Sequence, residues 1–326
     1  MNKKQRIGKL LDEYSILLVL VVLVLGLSLA TPNFLTVTNI MNLLSAESAR
    51  GLLALGVSFC IISKGIDLSL GSVIAVAAVV SASLAQDAAA GSLFFPNLPH
   101  LPLFLPVVAG LLAGVLFGLI NGLLVAYTHI PAFIATLGTM TAARGVALLY
   151  TNAYPISYLR EDFKLLGQGK IGAIPCLAIV LLVFALLAWL LLNRTSFGRN
   201  IYAIGGNETA ARVAGVPVER SLVGIYVWSA LTAAVAGILI AARSGSAIAS
   251  LGMSYELDGI AAATVGGVSH SGGVGKISGI VTGILILGVI NNGLLILGVS
   301  PYIQQIIKGC IIVGAVVFDM RKANRR

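Results

Sequence analysis

The chain has 326 residues, of which 58% are hydrophobic and only 10% are charged, whereas a soluble domain is roughly 45–50% apolar and about 25% charged. This composition excludes an ordinary soluble enzyme, a disordered protein and a coiled coil. It predicts an all-α polytopic membrane protein, because one helical span needs about 20 apolar residues. The net charge of +9 comes from basic residues beside apolar runs, a pattern that sets membrane topology and needs no nucleic-acid partner.

Ten apolar runs follow one another along the chain, and most of them reach or approach the length of a membrane span. The second and the eighth run are the shortest. We therefore expect about ten transmembrane helices, two of them short or broken, in a single transmembrane domain that covers residues 1–326. The runs are 15–30, 51–63, 68–85, 101–127, 132–150, 171–192, 221–242, 259–268, 277–297 and 302–318.

Basic residues are distributed unevenly between the two sides of such a bundle. With the amino terminus inside, 14 of the 21 Lys and Arg residues fall in inside segments and 5 in outside segments. The inside residues are concentrated before the first run, in loop 193–220 and in the tail. The positive-inside rule therefore predicts both termini and loop 193–220 in the cytoplasm. An eight-span arrangement gives the same orientation, so the charges leave the number of spans open.

An internal repeat relates two glycine-rich segments. Residues 110–124 read GLLAGVLFGLINGLL, and residues 279–295 read GIVTGILILGVINNGLL. Pro131 follows the first segment as Pro301 follows the second, and the offset stays at 169–171 residues. The repeat predicts two related halves that flank a central pathway, a common arrangement in transporters. Whether the halves are parallel or inverted stays open.

The sequence shows no catalytic or nucleotide-binding constellation. The stretch 266–278 looks like a phosphate-binding loop, but His270 stands where glycine is needed, and Ile277 follows Lys276 where Ser or Thr is required. The three histidines and three cysteines show no metal-ligand spacing. We therefore expect a protein that is not an enzyme, binds no metal or cofactor, and draws any ATP energy from a partner.

Asp67 and Ser69 follow Lys64 in the segment KGIDLS, between two apolar runs. A lone carboxylate at the bilayer centre costs roughly 2.5–3.5 kcal/mol on insertion scales, so such a group faces a cavity, forms a pair or reaches an interface. One interpretation is a broken helix that lines the pathway, with Ser69 or Asp67 capping the next helix. The other is a tight cytoplasmic turn with a structural Lys64–Asp67 pair.

Three asparagines, Asn121, Asn291 and Asn292, lie at equivalent places of the two repeats within apolar runs. An amide side chain can hydrogen-bond a sugar hydroxyl, which makes these residues candidates for the translocation pathway. An amide can equally link two membrane helices. The residues alone leave both interpretations open.

Four charged residues lie in or beside apolar runs. We expect Lys308 to pair with an acid in the bundle or to extend its charged end to the interface. We expect Arg144, near the outer end of its run, to extend to the interface. Glu256 and Asp258 are expected to cap the eighth helix at the outer face.

Loop 195–218 predicts a short capped helix. Asn207 is a good N-cap, and Glu208 suits the positive end of a helix dipole. Gly215 fits the position just after the helix, and Pro217 prevents continuation. A helix of about two turns is not stable alone, so this one needs a surface on which to dock.

The small side chains of the predicted helix suggest how it docks. Ala210, Ala211 and Ala214 would let it enter a groove on another protein. Glu208 and Arg212 can pair at a spacing of four residues or bind the partner. The alternative is a helix that lies on the membrane or on its own bundle.

Seven segments over nearly the whole chain resemble a known family. They are PNFLTVTNIMNLL (32–44), GIDLSLGS (65–72), AFIATLGTM (132–140), YTNAYPI (150–156), GRNIYAIGGNETAARVAGV (198–216), YELDGIAAATVGG (255–267) and NNGLLILGVS (291–300). Together they resemble the permease subunits of ribose-type bacterial ABC sugar importers, and most of all the ribose and D-allose permeases. His270 departs from the apolar residue expected in the GG-x-S-x-x-GG element.

The resemblance implies a homodimeric pore in the lipid of the bacterial inner membrane, a cytoplasmic ABC ATPase partner and a periplasmic sugar-binding protein. It implies a coupling helix at 208–215, seated in a groove of the ATPase. Segment 86–102 looks inserted relative to the ribose permease and is expected outside, where the binding protein docks. The candidate coupling residues are Asn207, Glu208, Ala211, Arg212 and Gly215.

The function expected from this resemblance is passage of a ribose- or allose-like monosaccharide across the membrane. An ion-coupled secondary sugar transporter, with Asp67 as the carrier of H⁺ or Na⁺, is the alternative. A membrane-embedded enzyme would need a catalytic set that the sequence does not show. The capped cytoplasmic helix favours the importer, since only the importer requires it.

Overall fold

A computed structural model describes residues 3–88, 91 and 93–323 of the chain. For residues 3–15, 322 and 323 the structure describes the backbone but not the side chains. The basic side chains expected to orient the termini (Lys3, Lys4, Arg6, Lys9, Lys322, Arg325 and Arg326) therefore lie outside it. Residues 89, 90 and 92 of the segment that looked inserted also lie outside it.

The described residues form thirteen helices and one short hairpin. The first six helices are α1 (Lys3–Ala30), α2 (Val37–Ile62), α3 (Leu70–Leu84), α4 (Phe104–Thr128), α5 (Ala132–Thr151) and α6 (Glu161–Gln168). An antiparallel hairpin of β1 (Lys170–Ile171) and β2 (Ile174–Pro175) follows. The remaining helices are α7 (Cys176–Arg194), α8 (Ser196–Gly206), α9 (Glu208–Val213), α10 (Val218–Ser244), α11 (Tyr255–Val265), α12 (Ile277–Ile296) and α13 (Pro301–Ala323).

Each of the ten predicted apolar runs lies on a helix of its own. Within the described part of the chain, seven helices are long and apolar enough to cross a membrane: α2, α4, α5, α7, α10, α12 and α13. The apolar part of α1 and helix α3 are shorter, and α11 has 11 residues. The chain is therefore a multi-pass helical protein, as expected.

The second run was expected to be short, but it is the end of the 26-residue helix α2. The sequence hides the first half of this helix because Glu47 and Arg50 interrupt the apolar pattern. Glu47 is buried, and Arg50 binds it at 2.5 Å. The pair neutralises both charges, so the helix continues through them.

The connecting segments lie at two opposite ends of the bundle. Helix α10 begins just after α9, and its 27 residues make it about 40 Å long. At its far end it meets α6, where a Cβ added to Gly167 would lie 2.7 Å from the Cα of Arg243. We call the end with α8 and α9 the α9 end, and the end with α6 and the hairpin the α6 end.

Close glycine contacts show that the repeat is inverted. On α4, Gly110 faces Ile238 and Gly122 faces Val223 of α10, so α4 runs opposite to α10, towards the α9 end. Helix α12 starts at the α9 end, because loop 266–276 just before it bonds to α2 through the Gly273 N–H and the Ile62 carbonyl (2.8 Å). The repeat-equivalent helices α4 and α12 therefore run in opposite directions, which settles the orientation that the sequence left open.

Helices α3 and α11 are half-helices, each preceded by a non-helical segment. Segment 63–69 leads into α3, and segment 245–254 leads into α11. The two segments enter from opposite ends of the bundle, as inverted repeats require. Their helices start near each other, where a Cβ on Gly252 would lie 2.8 Å from the carbonyl oxygen of Gly71. Irregular backbone at membrane depth is tolerated where protein surrounds it, and paired half-helices are typical of transporter substrate pathways.

Candidate functional site: a capped helix, a glycine junction and two buried polar clusters

Helix α9 is capped at both ends as the sequence predicts. At its start, the Asn207 side chain accepts a hydrogen bond from the Ala210 N–H at 3.0 Å. At its end, Gly215 has φ +81°. The Gly215 N–H donates to the Arg212 carbonyl (3.1 Å), and the Val216 N–H donates to the Ala211 carbonyl (3.0 Å). These two bonds form a Schellman motif, so both helix termini are fixed by local contacts.

One side of α9 is seated on the chain itself and the other faces outward. Ala211 is only 5% exposed and belongs to the main apolar core. Val213 is 86% exposed, and Glu208 and Arg212 are exposed beside it. The expected pair exists, because Arg212 contacts Glu208 at 3.2 Å. Arg212 also binds Glu219 at the start of α10, which ties α9 to a long central helix.

A glycine junction joins the α9 region to the broken segment before α3. It consists of Gly205, Gly206, Gly272 and Gly273, packed on the end of α2. The Gly273 N–H donates to the Ile62 carbonyl (2.8 Å), and the Lys64 ammonium donates to the Gly206 carbonyl (3.3 Å). Lys64 therefore binds this junction, in place of the Lys64–Asp67 pair that the turn interpretation required.

A first buried network, the α3 cluster, holds the start of α3. The Asp67 carboxylate is fully buried and accepts bonds from the Ser69 N–H (3.0 Å), the Ser69 hydroxyl (2.6 Å) and the Ser229 hydroxyl (2.9 Å). The Asn121 amide donates to the Ser69 hydroxyl (2.9 Å), and the Thr139 hydroxyl donates to Asn121. Three pathway candidates, Asp67, Ser69 and Asn121, thus meet in one network that spans four chain segments.

A second network, the α11 cluster, holds the start of α11 with charges. Asp258 binds Arg50 of α2 (2.9 Å) and Lys308 of α13 (3.0 Å). Arg50 also binds Glu47, which accepts a bond from the Asn291 amide (3.4 Å). Lys308 therefore does pair with an acid, and that acid is Asp258. The two acids and two bases give a net charge of zero, which reduces the cost of burying them.

The two clusters occupy equivalent places in the inverted repeat. Asn121 corresponds to Asn291, and Thr139 lies seven residues into α5 as Lys308 lies seven residues into α13. Seven helical residues span about 10 Å. The α3 cluster therefore lies about 10 Å from the α9 end of the bundle, and the α11 cluster lies about 10 Å from the α6 end. Each fastens the start of one half-helix to the neighbouring long helices.

The prediction that Glu256 and Asp258 cap α11 with their side chains is wrong. The residue before α11 is Ser254, which has φ +65° and makes no side-chain cap bond. Asp258 is engaged by Arg50 and Lys308 instead. Both acids do lie in the first turn, where negative charge is favourable to the helix dipole.

Arg144 does not extend to the interface, so that prediction is also wrong. Its guanidinium donates to the carbonyls of Ala249, Leu251 (2.9 Å) and Gly71 (3.0 Å). These carbonyls belong to segment 245–254 and to α3, which are distant in sequence from α5. Two of the three carbonyls lie in non-helical backbone, which supplies partners that apolar periodicity does not reveal.

The remaining predicted residues lie at the edges of these networks. Asn292 exchanges two hydrogen bonds of 2.9 Å with Asn39 of α2. His270 contacts the Thr264 hydroxyl through Nε2 (2.9 Å), and its backbone N–H donates to Asp319 of α13 (2.9 Å). Burial lowers the pKa of His270, which favours the neutral ring. In the part of the chain that the structure describes, no group of three His, Cys, Asp or Glu side chains has the geometry to hold a metal ion.

Removing the charge of Asp258 tests the α11 cluster. We expect Asp258→Asn to lower the free energy of unfolding by about 2 kcal/mol, because Arg50 and Lys308 would lose the negative charge that they share in a partly solvated site. Thermal unfolding in detergent measures the effect. The control is Glu161→Gln. The Glu161 side chain binds Lys164 but is 83% exposed, so we expect the free energy of unfolding to fall by only about 0–1 kcal/mol. Equal melting temperatures for the two variants would contradict the structural role of the cluster.

Comparison with known proteins finds one family model and several relatives that match most of the chain. Residues 39–316 match the family model described as "Branched-chain amino acid transport system / permease component". The chain is 43% identical to the galactose/methyl galactoside import permease protein MglC of Haemophilus influenzae, over 99% of this chain and 98% of that protein. It is 42% identical to the ribose import permease protein RbsC of Bacillus subtilis, over 93% of this chain and 91% of that protein.

A third relative carries another substrate in its name. The chain is 42% identical to the L-arabinose transport system permease protein AraH of Escherichia coli, over 98% of this chain and 94% of that protein. No solved structure matches the chain.

Proposed function

Because the chain belongs to the permease-component family of branched-chain amino acid transport systems, we propose that it is the transmembrane subunit of an ABC importer for a monosaccharide. Two copies would form the pore in the bacterial inner membrane, an ABC ATPase would bind the α9 end in the cytoplasm, and a periplasmic sugar-binding protein would dock at the α6 end. Both chain termini would then be cytoplasmic. The chain itself would hydrolyse no ATP.

The observation that carries this proposal is the construction of α9. It is a helix of only six residues, which is too short to be stable alone. Yet it has a side-chain cap at its start, a Schellman motif at its end, and an ion pair to α10. Such a helix is rigid and presents Val213 outward. A short, fixed, outward helix supports docking in a groove of another protein, and a secondary transporter has no need of one.

The glycine junction supports transmission of movement from α9 to the pathway. Helix α8 leads directly into α9, and its Gly205 and Gly206 lie against the end of α2 and against loop 266–276. The chain then continues from α2 through Lys64 to Asp67 and α3. A displacement of α9 would therefore reach the broken segment through backbone contacts.

The substrate class comes from the relatives and from the resemblance in the sequence. The names of the three relatives mention galactose, ribose and arabinose, all of which are aldoses. We propose a pentose or hexose aldose for the present chain. The sequence motifs favour ribose or allose, while over the whole chain the galactose and ribose permeases are equally similar, at 43% and 42% identity.

The test is docking of the ATPase, measured by co-purification in mild detergent with the partner identified. We expect wild type to retain a stoichiometric ABC ATPase, and Val213→Asp to lose it at least tenfold, because a buried, unpaired carboxylate disfavours the interface. Val213 is 86% exposed, so this change removes little packing within the chain. The control is Ile171→Asp, an apolar residue 67% exposed on the hairpin at the α6 end, which should retain the ATPase.

Energy dependence distinguishes this proposal from the ion-coupled alternative. Uptake in proteoliposomes should need ATP and should persist with a protonophore. A chain that purifies alone and moves sugar without ATP, with transport abolished by the protonophore, would overturn the importer proposal. Asp67 would then be the carrier to examine, since its carboxylate is buried and bound only by neutral donors among the described residues.

A further inference from the structure

A cavity of about 540 Å³ lies between α3, α5 and the start of α11. Its volume falls in the roughly 300–1,000 Å³ range of small-molecule sites. It lies where the two half-helices start near each other. Its lining includes Arg144 and Glu256, and none of the asparagines expected to line the pathway.

Hydrogen bonds to backbone carbonyls hold the Arg144 side chain in place. Three carbonyls fix its guanidinium, through both terminal nitrogens. A guanidinium has five N–H donors, so these bonds leave two donors for another partner. Because the group is already oriented, little further ordering is needed when a ligand binds.

Glu256 and three hydroxyl groups complete the polar lining. The Glu256 carboxylate has about four acceptor positions. Ser72 and Ser254 add hydroxyl groups that can donate and accept. The Thr141 hydroxyl donates to the Leu137 carbonyl (3.1 Å), so it adds an acceptor. The cavity therefore offers positioned N–H donors from Arg144 and a carboxylate acceptor from Glu256. This pattern suits a neutral polyol, whose hydroxyls donate and accept at the same time.

The rest of the lining is apolar and adaptable. Met140 and Leu148 of α5 and Met253 of segment 245–254 contribute side chains without hydrogen-bonding groups. Methionine adapts to irregular shapes, and the C–H face of a sugar ring is apolar. Polar groups that fix orientation, beside apolar contacts that bury area, are the usual composition of a small-molecule site.

The cavity holds a charged side chain well inside the bundle. Arg144 lies seven residues before the end of α5, about 10 Å into the bundle. A charged side chain at such depth faces protein or water, not hydrocarbon. On the proposed function, the open side of the cavity would face the second copy of the chain and the aqueous pathway between the copies.

We infer that this cavity holds a monosaccharide in transit, with Arg144 donating to its hydroxyls and Glu256 accepting from them. The inference rests on the proposed function and adds the residues that contact the sugar. Specificity within the membrane would then depend on Glu256, Thr141 and Ser72, beyond the selection made by a binding protein.

Two substitutions test the cavity, with one matched control. Glu256→Gln keeps the shape of the side chain and removes the charge, so we expect about tenfold slower uptake through a weaker hydrogen bond. Gly145→Leu fills the cavity, and we expect uptake to fall below one-tenth. Gly138 lies two turns away on α5. Neither glycine has a heavy atom within 4 Å of an added Cβ, so Gly138→Leu is the control for insertion of a leucine.

The measurement is uptake of radiolabelled D-ribose, D-galactose and L-arabinose into proteoliposomes that contain the complete importer. Retained ATPase on each purified variant shows that the complex assembled. Wild-type uptake by Gly145→Leu and Glu256→Gln, in complexes that assemble, would overturn the cavity assignment while the proposed function stands. A wild-type complex without ATP-dependent uptake would overturn the proposed function itself.

Discussion

Replacing Gly205 with alanine is expected to lower the free energy of unfolding by about 3 kcal/mol and to disconnect α8 from the end of α2. A Cβ at this position would collide with the carbonyl oxygen of Ile62 and lie 2.6 Å from the nitrogen of Gly273. Both neighbours are backbone atoms, and they are bonded to each other at 2.8 Å. Neither atom can move aside without breaking that hydrogen bond, so relieving the collision costs stability.

The adjacent glycine provides the control for this prediction. A Cβ on Gly206 would meet no heavy atom within 4 Å, so Gly206→Ala should unfold at the wild-type temperature in detergent. Gly205→Ala should melt several degrees lower and should show reduced coupling of ATP hydrolysis to uptake. If the two variants melted together, the close packing at the junction would be wrong.

Much of the fold follows from local features of the sequence. Each apolar run lies on one helix, because burial in a membrane requires a continuous apolar segment and satisfied backbone groups. The caps of α9 were predictable for a similar reason. Asn207 and Gly215 act on backbone groups within four residues of themselves, so residue type and spacing are sufficient. The permease resemblance is confirmed over the full chain.

The contacts between distant segments were not predictable in the same way. Lys308 pairs with Asp258, which is 50 residues earlier in the chain, and the sequence gives no sign of which acid is its partner. Arg144 binds backbone carbonyls of segment 245–254 and of the start of α3, and such partners depend on how the chain folds around the break. The length of α2 was underestimated because charges that neutralise each other look like an interruption.

The inverted orientation of the repeat also needed the structure. The sequence matched Asn121 with Asn291 and Pro131 with Pro301, but a repeated pattern reads the same whether the second copy is parallel or inverted. Direction was set by which glycines face which helices. With the repeat inverted, the α3 and α11 clusters occupy equivalent positions. The α3 cluster consists of hydrogen bonds from neutral donors, and the α11 cluster consists of ion pairs.

Gly215→Val is expected to reduce ATP-driven uptake at least tenfold while leaving the protein inserted and folded. Gly215 has φ +81°, a conformation that costs other L-residues roughly 1–2 kcal/mol and β-branched residues more. The space around it is open, since no heavy atom lies within 4 Å of an added Cβ. The cost therefore falls on the backbone of the Schellman motif, and the end of α9 loses its fixed direction.

Asparagine at the same position separates backbone strain from side-chain bulk. Asn and Val are of similar size, but Asn tolerates the left-handed region. Gly215→Asn should therefore keep most of the uptake and the ATPase stimulation, and Gly215→Val should lose both while its melting temperature in detergent changes little. If both variants lost uptake equally, bulk at the docking surface would be the cause. If both transported normally, α9 would be only a connection between α8 and α10.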